Sequence, residues 1–339
     1  MRVHKAKDVL FLLLALVLMA TAMAPAPAVA TPPRPSGVLY VGTSGDQSVV
    51  VIDLATMTLV NEISVAPSAP HGLALDPGGK RLYVADQPAG ATSIKVIDTA
   101  TGQLVDTLPV GTRSHHIQLS RQGARELYIA PGAGTLFYIY DLVTGQTTTL
   151  PVGAGPTDVA VSPSGRMALV ASTGAGGSVT LIHLLNKTAG PPVALPPRAG
   201  FVPQADHVTF SPDGRLAYVV DRGANRLLAL DLSTLAWVGS AIVGAAPHGV
   251  AVTHDGRKVY VGNRGADSIS VIDAATFNVV DTIIVGTQPD HFTLDLSGHF
   301  LFIPIRSTKV MKVLDVSTDQ IVDEVYVGRD LHVSAQGHS

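Results

Sequence analysis

The sequence of 339 residues contains no cysteine. This absence excludes disulfides, thiolate metal ligands and a cysteine nucleophile. Glutamate is almost as scarce, since it occurs only at positions 62, 126 and 324, so a mechanism with paired carboxylates would have to use aspartate. Aromatic residues make up 5% of the chain and charged residues 14%. Neither a Gly-x-Ser-x-Gly elbow nor a His-Glu-x-x-His motif is present, so two familiar signals of hydrolases are missing.

The first thirty residues have the organisation of a secretory signal peptide. Arg2, Lys5 and Lys7 precede an apolar run over 9–20, and small residues at Ala28 and Ala30 predict cleavage after Ala30. The apolar run is shorter than the roughly twenty helical residues that span a bilayer. No cysteine follows it, so there is no lipoprotein attachment site. We therefore expect an exported protein, periplasmic, cell-surface or secreted, with no membrane span after cleavage.

The charge balance argues against a nucleic-acid partner. Removal of residues 1–30 would leave 20 basic and 25 acidic residues, a net charge of about −5, whereas nucleic-acid-binding surfaces are basic.

Residues 256–298 show the unit from which the chain is built. Four short runs (258–262, 268–273, 279–285 and 292–296) are rich in Val, Ile, Tyr and Phe and are separated by turn-forming residues, which indicates antiparallel strands. The residue that opens the fourth run recurs at intervals of 44, 42, 49, 42, 42 and 41 residues: Leu73, Ile117, Val159, Val208, Val250, Phe292 and Val333. Four strands with a period in the low forties predict an all-β, seven-bladed propeller.

The ends of the chain predict how the ring closes. After the signal peptide (1–30) and a short leader (31–37), the propeller domain is predicted over 38–336, with a tail at 337–339. The domain opens with the second strand of a unit and ends with the first strand of another, so we expect the C-terminal strand to complete the N-terminal blade and remove open sheet edges. Aspartates at strand ends are interpreted as turn caps: Asp53, Asp98, Asp141, Asp231, Asp273 and Asp315.

Short sequences in these units resemble the YVTN-type β-propeller repeat family. The matching segments are Leu82-Tyr-Val-Ala-Asp, Val259-Tyr-Val-Gly-Asn, Val271-Ile-Asp and Pro247-His-Gly-Val-Ala-Val. The resemblance covers essentially all of 38–336 and implies an exported or cell-surface seven-bladed propeller with a central channel. It does not imply one activity, because the fold carries binding proteins, lactonases, quinoprotein subunits and copper enzymes.

Two residues directly before each predicted channel-lining strand form aligned columns. The first column is His71, His115, Thr157, Asp206, His248, Asp290 and Leu331. The second column is Gly72, His116, Asp158, His207, Gly249, His291 and His332. Seven of the eleven histidines that follow residue 30 fall in these fourteen positions. Because innermost strands converge on the axis of a propeller, we expect these side chains to gather at one mouth of the channel, called the upper mouth.

Imidazoles with neighbouring carboxylates and no thiolate suit copper or zinc. The predicted metal residues are His71, His115, His116, Asp158, His207, His248, His291 and His332. The pair His115-His116 also resembles the His-rich copper site of nitrous-oxide reductase propellers. This chain lacks that family's C-terminal cupredoxin domain and has no cysteine for an electron-entry site, so that reaction is not predicted.

Other interpretations of the same positions stay open. The mouth is equally suited to a small polar ligand without a metal, and the His-containing turns are also explained by copying of one ancestral unit. At the level of function, the alternatives are a surface or periplasmic scaffold without enzymatic activity and a lactonase-like hydrolase. A monomer is expected.

Two further features lie on the predicted upper rim. Arg222, Arg264 and Arg306 form an aligned column, and guanidinium groups are suited to a carboxylate or phosphate, although solvated surface arginine is the more common outcome. Insertions at 196–205 and 87–92 lengthen two loops. The first is interpreted either as a partial lid over the channel or as a tolerated Pro-rich surface loop.

Overall fold

The computed structural model describes residues 35–86, 90–121 and 123–337. The predicted signal peptide, residues 87–89 of the smaller insertion and the last two residues lie outside the described part of the chain. Within that part, no helix has the length and apolar character needed to cross a membrane.

Seven antiparallel sheets, the blades, make up the fold. Blade 1 consists of β1 (Val38–Thr43), β2 (Ser48–Asp53), β3 (Thr58–Ser64) and the C-terminal β29 (Leu331–Gly337). Blade 2 consists of β4 (Pro70–Leu75), β5 (Arg81–Asp86), β6 (Ile94–Asp98) and β7 (Gln103–Leu108). Blade 3 consists of β8 (His116–Leu119), β9 (Glu126–Ala130), β10 (Leu136–Asp141) and β11 (Thr147–Pro151).

The remaining blades follow the same order. Blade 4 consists of β12 (Pro156–Val161), β13 (Met167–Ser172), β14 (Ser178–His183) and an outer strand in two pieces, β15 (Thr188–Ala189) and β16 (Val193–Ala194). Blade 5 consists of β17 (Ala205–Phe210), β18 (Leu216–Asp221), β19 (Arg226–Asp231) and β20 (Ala236–Ile242), with a 3₁₀ turn at Arg222–Ala224. Blade 6 consists of β21 (Pro247–Val252), β22 (Lys258–Asn263), β23 (Ser268–Asp273) and β24 (Val279–Ile284). Blade 7 consists of β25 (Thr293–Leu294), β26 (Phe300–Ile305), β27 (Val310–Asp315) and β28 (Gln320–Tyr326).

The apolar runs of the sequence become strands because each blade buries both faces against its neighbours. In β22 every residue after Lys258 is buried, whereas β24 at the outer edge is almost entirely exposed. One core cluster joins Leu39 and Ile52 of blade 1 to Phe302 and Val313 of blade 7. Burial of apolar side chains between blades, rather than within one blade, therefore stabilises the ring.

The predicted closure is confirmed. Strand β29 pairs with β1 in antiparallel register, from Val38 opposite Gly337 to Thr43 opposite Leu331. The inner strands also contact one another in a complete circle, in the order β29, β4, β8, β12, β17, β21, β25 and back to β29. The sheet edge that β1 would otherwise present to solvent is thus covered by the chain's own C-terminal strand.

The aspartates at strand ends are turn caps, as predicted. Asp53 Oδ1 accepts a hydrogen bond from the backbone N–H of Thr56 at 2.8 Å, and Asp273 Oδ1 accepts one from Thr276 at 2.8 Å. The same arrangement holds at Asp98, Asp141, Asp231 and Asp315. These carboxylates therefore stabilise the turns at the ends of the strands, and none of them belongs to the two aligned columns.

Candidate functional site

The two aligned columns meet at a single place on the propeller axis. The ring centre of His291 lies between 4.4 and 6.0 Å from those of five other histidines: His71, His116, His207, His248 and His332. His115 joins the group through His71, with ring centres 3.8 Å apart. We call these seven histidines, together with Asp158, Asp206 and Asp290, the axial cluster.

Irregular strand pairing explains how two adjacent columns reach one site. The prediction that the inner strands begin after the two columns is wrong. In most blades the inner strand begins before the first column or at one of the column residues. In blades 2, 4, 5 and 6 the pairing register shifts across the column residues, for example between Pro247 and Val250. A bulge re-aims side chains that would otherwise alternate between faces. Adjacent residues such as Asp206 and His207 can therefore both contribute to the cluster.

Glycine in the second column allows the blades to approach closely at the axis. A Cβ placed on Gly249 would lie 2.6 Å from the carbonyl oxygen of Asp290 in the next blade. Real side chains do not make such contacts, so this position accepts only glycine without a shift of the backbone. Gly249 is thus part of what positions Asp290.

Carboxylates fix the Nδ1 atoms of four histidines, each across a boundary between blades. Nδ1 of His207 lies 3.1 Å from Asp158 Oδ2, and Nδ1 of His116 lies 3.3 Å from Asp158 Oδ1. His248 Nδ1 is 2.8 Å from Asp206 Oδ2, and His332 Nδ1 is 3.0 Å from Asp290 Oδ2. A carboxylate at Nδ1 sets the tautomer that leaves Nε2 with a free lone pair.

His71 and His115 use backbone carbonyls in the same way. Nδ1 of His71 lies 3.2 Å from the carbonyl oxygen of His115, and Nδ1 of His115 lies 2.9 Å from that of Thr157. Each of these two hydrogen bonds joins one blade to the next, so first-column residues of blades 2, 3 and 4 are linked in series around the axis.

Several Nε2 atoms of the cluster are buried with few or no polar partners among the described residues. Those of His116, His207 and His332 have no hydrogen-bond partner, and those of His248 and His291 have only Asp290 Oδ1, at 3.3 Å. Buried polar atoms without partners are rare and costly in folded proteins. Their concentration at one point makes the axial cluster the candidate site of the described chain.

The donor atoms of the cluster lie close together, at separations near those of a metal site. Four groups have all their donor atoms within 4.8 Å of one another: His71, His115 and His116; His116, His207 and His291; Asp206, His207 and His248; and His248, Asp290 and His291. Two imidazole nitrogens bound to one metal at 2.0–2.1 Å are at most about 4.2 Å apart. Within the described chain, these four overlapping groups are the ones that could hold a metal ion.

Burial keeps most of the cluster neutral. It lowers the pKa of five members: His71, His115, His116, His291 and His332. For His115 the pKa falls from 6.5 to about 4. Neutral imidazole is the form that binds metals, so these side chains are ready to act as ligands at neutral pH.

His248 and the carboxylates behave differently. Burial lowers the pKa of His248, but its hydrogen bonds to Asp206 and Asp290 outweigh that effect and the net shift is upward. Burial also opposes ionisation of Asp158, Asp206 and Asp290, yet the neighbouring histidines hold the pKa of each below its usual range. The carboxylates are therefore ionised and supply the negative charge of the cluster.

Asp290 is the most densely contacted carboxylate of the cluster, and it is fully buried. Its Oδ1 lies 3.3 Å from Nε2 of His248 and 3.3 Å from Nε2 of His291. Its Oδ2 lies 2.7 Å from Arg264 Nη2 and 3.6 Å from Arg306 Nη1. Asp206 and Asp290 are not among the metal residues predicted from the sequence. Both stand in the first column, and this position is the sequence signal by which they could have been included.

The arginine column lies at the edge of this cluster. Arg264 and Arg306 flank Asp290, and Arg306 also forms a bidentate pair with Asp330, at 3.0 and 2.9 Å. Arg222 is more exposed, with Nη1 3.9 Å from Asp206 Oδ2. The arginines therefore meet carboxylates of this chain, and a contact with an external anion stays a prediction.

The loop at 196–205 packs on blade 5. Gln204 N–H donates to Asp221 Oδ1 at 2.8 Å, and Arg198 and Arg226 donate to backbone carbonyls of Ala224 and Pro196. Phe201 lies under the guanidinium of Arg198, 4.4 Å from ring centre to Cζ. The loop thus rests on the Arg222–Ala224 turn, and the described contacts do not extend to the axial cluster.

A cavity of about 580 Å³ lies directly beneath the cluster, inside the channel. Second-column residues form its upper end, among them His116, Asp158, His207 and His291. The cluster is thus at the end of a space that can hold a small molecule.

Comparison with known proteins supports the fold and the repeat type. The family model of YNCE-like β-propellers matches residues 243–337, and with the seven-bladed architecture it confirms the predicted resemblance to YVTN-type propellers. No curated protein sequence matches this chain. The resemblance to nitrous-oxide reductase stays a prediction.

Solved structures resemble the whole domain at low sequence identity. Hydrazine synthase of Kuenenia stuttgartiensis superposes with a TM-score of 0.73 at 18% identity, over 87% of this chain and 99% of that one. A putative 6-phosphogluconolactonase of Bacteroides uniformis gives 0.71 at 19% identity, over 89% and 99%. The periplasmic gluconolactonase of Pseudomonas aeruginosa gives 0.69 at 20% identity, over 88% and 98%. At such identities the likeness concerns the fold alone.

Proposed function

We propose that this YVTN-type seven-bladed propeller is an exported protein that binds a transition metal, copper or zinc, at the axial cluster. The observation that carries the proposal is the arrangement around Asp158. This one carboxylate meets Nδ1 of both His116 and His207 and leaves their buried Nε2 atoms without a hydrogen-bond partner. His116, His207 and His291 also form one group whose donor atoms lie within 4.8 Å of one another.

The residues fit such a metal in three respects. Imidazole donors with no thiolate suit copper or zinc. The Asp158 carboxylate behind His116 and His207 orients these two rings and raises the basicity of their donor atoms. The lowered pKa of His116 and of His291 keeps these donors deprotonated at neutral pH, so a metal does not have to displace a proton from them.

The bound metal would supply a Lewis-acid centre at the end of the channel. His116, His207 and His291 would hold it, and Asp158 would position two of these ligands. Three ligands leave a coordination position for a further molecule, and the cavity beneath them provides the space.

Metal content tests the proposal. Protein purified from the compartment to which it is exported, and metal-free protein exposed to micromolar copper or zinc, should contain about one equivalent or more. The double variant His207→Ala/His291→Ala should lose most of it. The matched control His183→Ala/His299→Ala removes two exposed histidines and should keep it. A wild-type protein that takes up neither metal would rule the proposal out.

A hydrolytic activity is a second candidate. It is favoured by the cavity beneath the imidazoles, since a metal held there would supply Lewis-acid chemistry next to a space for a lactone or ester. The similarity to two proteins described as lactonases concerns the fold only. A panel of lactones and esters should then show turnover that disappears on metal removal; absence of such turnover would reject this candidate.

A scaffold without catalytic activity is the remaining alternative. The loop at 196–205 exposes Phe201 and Val202 at its tip, where a partner protein could bind. In that case deletion of 196–205 would abolish partner capture, while His207→Ala/His291→Ala would leave it intact.

A further inference from the structure

A third column of side chains lines the channel below the cluster. Its members stand two residues after the second column, on the same face of each inner strand: Ala74, Gln118, Ala160, Thr209, Ala251 and Thr293. All are small or polar, and Gln118 is exposed although it lies on an innermost strand. At the level of this column the described inner strands leave space inside the channel, although larger apolar residues such as Leu73, Val250 and Phe292 also line the cavity.

The cavity beneath the cluster follows this column to the opposite rim. Gln118, Ala160, Thr209 and Ala251 form its middle section. Its far end is lined by turn residues of the opposite rim, including Arg121 and His254, which are exposed to solvent. The space therefore leads from buried imidazoles to the surface on the side away from the arginine column.

Most of the first-column side is covered. Asp290 and Leu331 are fully buried and Asp206 and His248 are nearly so, whereas His115 is half-buried. Arg264 reaches over this layer to Asp290, with Nη2 2.7 Å from Oδ2. Among the described residues that line the cavity, six belong to the second column and none to the first.

We infer that the channel is a binding chamber for a small polar molecule with a metal-binding donor atom, and that this molecule enters from the rim of Arg121 and His254. The inference rests on the proposed metal site and adds the side from which a small molecule reaches it. The donor atom would meet the cluster at the second-column end, while the Gln118 amide and the Thr209 hydroxyl would face the rest of the molecule. A volume of about 580 Å³ suits a metabolite rather than a macromolecule.

Azide binding to the copper-loaded protein tests the route, since azide is a small ligand that coordinates copper. Gln118→Trp and Ala160→Trp place an indole in the channel, and Ala266→Trp is the matched control on an exposed turn of the arginine rim. Copper content should be unchanged in all three. The azide association rate, followed by absorbance, should fall about tenfold or more in the channel variants and stay within about twofold of wild type in the control. Equal rates in all proteins, no azide binding by the loaded wild type, or slowing by Ala266→Trp alone would overturn the inference.

A second measurement separates this inference from the metal proposal. Diethylpyrocarbonate modifies neutral imidazoles, so its reaction with His116, His207 and His291 in metal-free protein, measured by peptide mass spectrometry, reports access without any metal. The channel variants should protect these histidines about tenfold relative to wild type and to Ala266→Trp. If the protein takes up no copper, the proposed function fails, and unprotected histidines in the channel variants would then reject the route as well.

Discussion

Nδ1 of His332 lies 3.0 Å from Oδ2 of Asp290, across the boundary between blade 1 and blade 7. His332 belongs to β29, the strand that closes the ring through its pairing with β1. Asp290 is the fully buried carboxylate that also meets His248 and His291. The seam that closes the propeller is therefore also a wall of the axial cluster, so closure and site depend on each other.

Deletion of residues 329–339 should unfold or aggregate the protein. The deletion removes β29, exposes the edge of β1 and takes His332 away from Asp290. Thermal unfolding followed by circular dichroism, together with light scattering, measures the effect. Deletion of 338–339 alone is the control and should leave the midpoint unchanged. An unaltered midpoint in the longer deletion would show that β29 is not needed for closure.

Asp158→Asn should weaken metal binding by about 10–100-fold. The substitution keeps the shape of the side chain but removes the charge that orients His116 and His207. Affinity for copper or zinc, measured by competition with a chelator, reports the change. Asp53→Asn alters an exposed turn cap and should leave the affinity as in wild type. Equal affinities in both variants would show that Asp158 does not support metal ligands.

Gly249→Ala should destabilise the protein by about 1–3 kcal/mol, because the added methyl group must displace the backbone of the neighbouring blade. Its Cβ would lie 2.6 Å from the carbonyl oxygen of Asp290. The urea midpoint measures the loss. Gly78→Ala is the matched control, since its Cβ would meet nothing nearer than 3.8 Å. If both variants unfold at the wild-type midpoint, the close approach at Gly249 is not required.

Stability of the metal-free protein should fall as the pH is lowered from about 6.5 toward 4. Burial places the folded-state pKa of His115 at about 4 and lowers that of His291, so the unfolded chain takes up protons first and is favoured below pH 6.5. The stabilising contribution is present above pH 6.5. His248 acts in the opposite direction, because its raised pKa adds stability that is lost as pH rises through it.

Urea midpoints at pH 7.5, 6 and 5 measure this dependence, with a slope of about 1.4 kcal/mol per pH unit for each proton taken up on unfolding. His291→Gln should flatten the profile, and His299→Gln, at an exposed position, should not. A midpoint that does not change between pH 7.5 and pH 5 would contradict a neutral, buried cluster.

Much of the architecture was predictable because repetition multiplies a weak signal. A single run such as Ser268–Asp273 is a modest indication of a strand, and its bounds agree with the structure. Seven recurrences of the same pattern fix the number of blades and the pairing of β29 with β1. The error at the start of the inner strands arose from a local cause, the register shift between residues such as Pro247 and Val250, for which the sequence offers no separate signal.

The sequence by itself determined the seven blades, the turn caps and the enrichment of His and Asp in two columns, because these depend on local periodicity and on residue type. Only the tertiary structure decided that both columns converge, that Asp206 and Asp290 belong to the cluster, and that Arg264 and Arg306 meet Asp290. The entry side that we infer also depends on that structure. These contacts join residues 16 to 42 positions apart: His248 meets Asp206 and Arg264 meets Asp290 across neighbouring blades, and Arg306 meets Asp290 within blade 7. They follow from how the inner strands and their loops meet at the axis and not from local residue order.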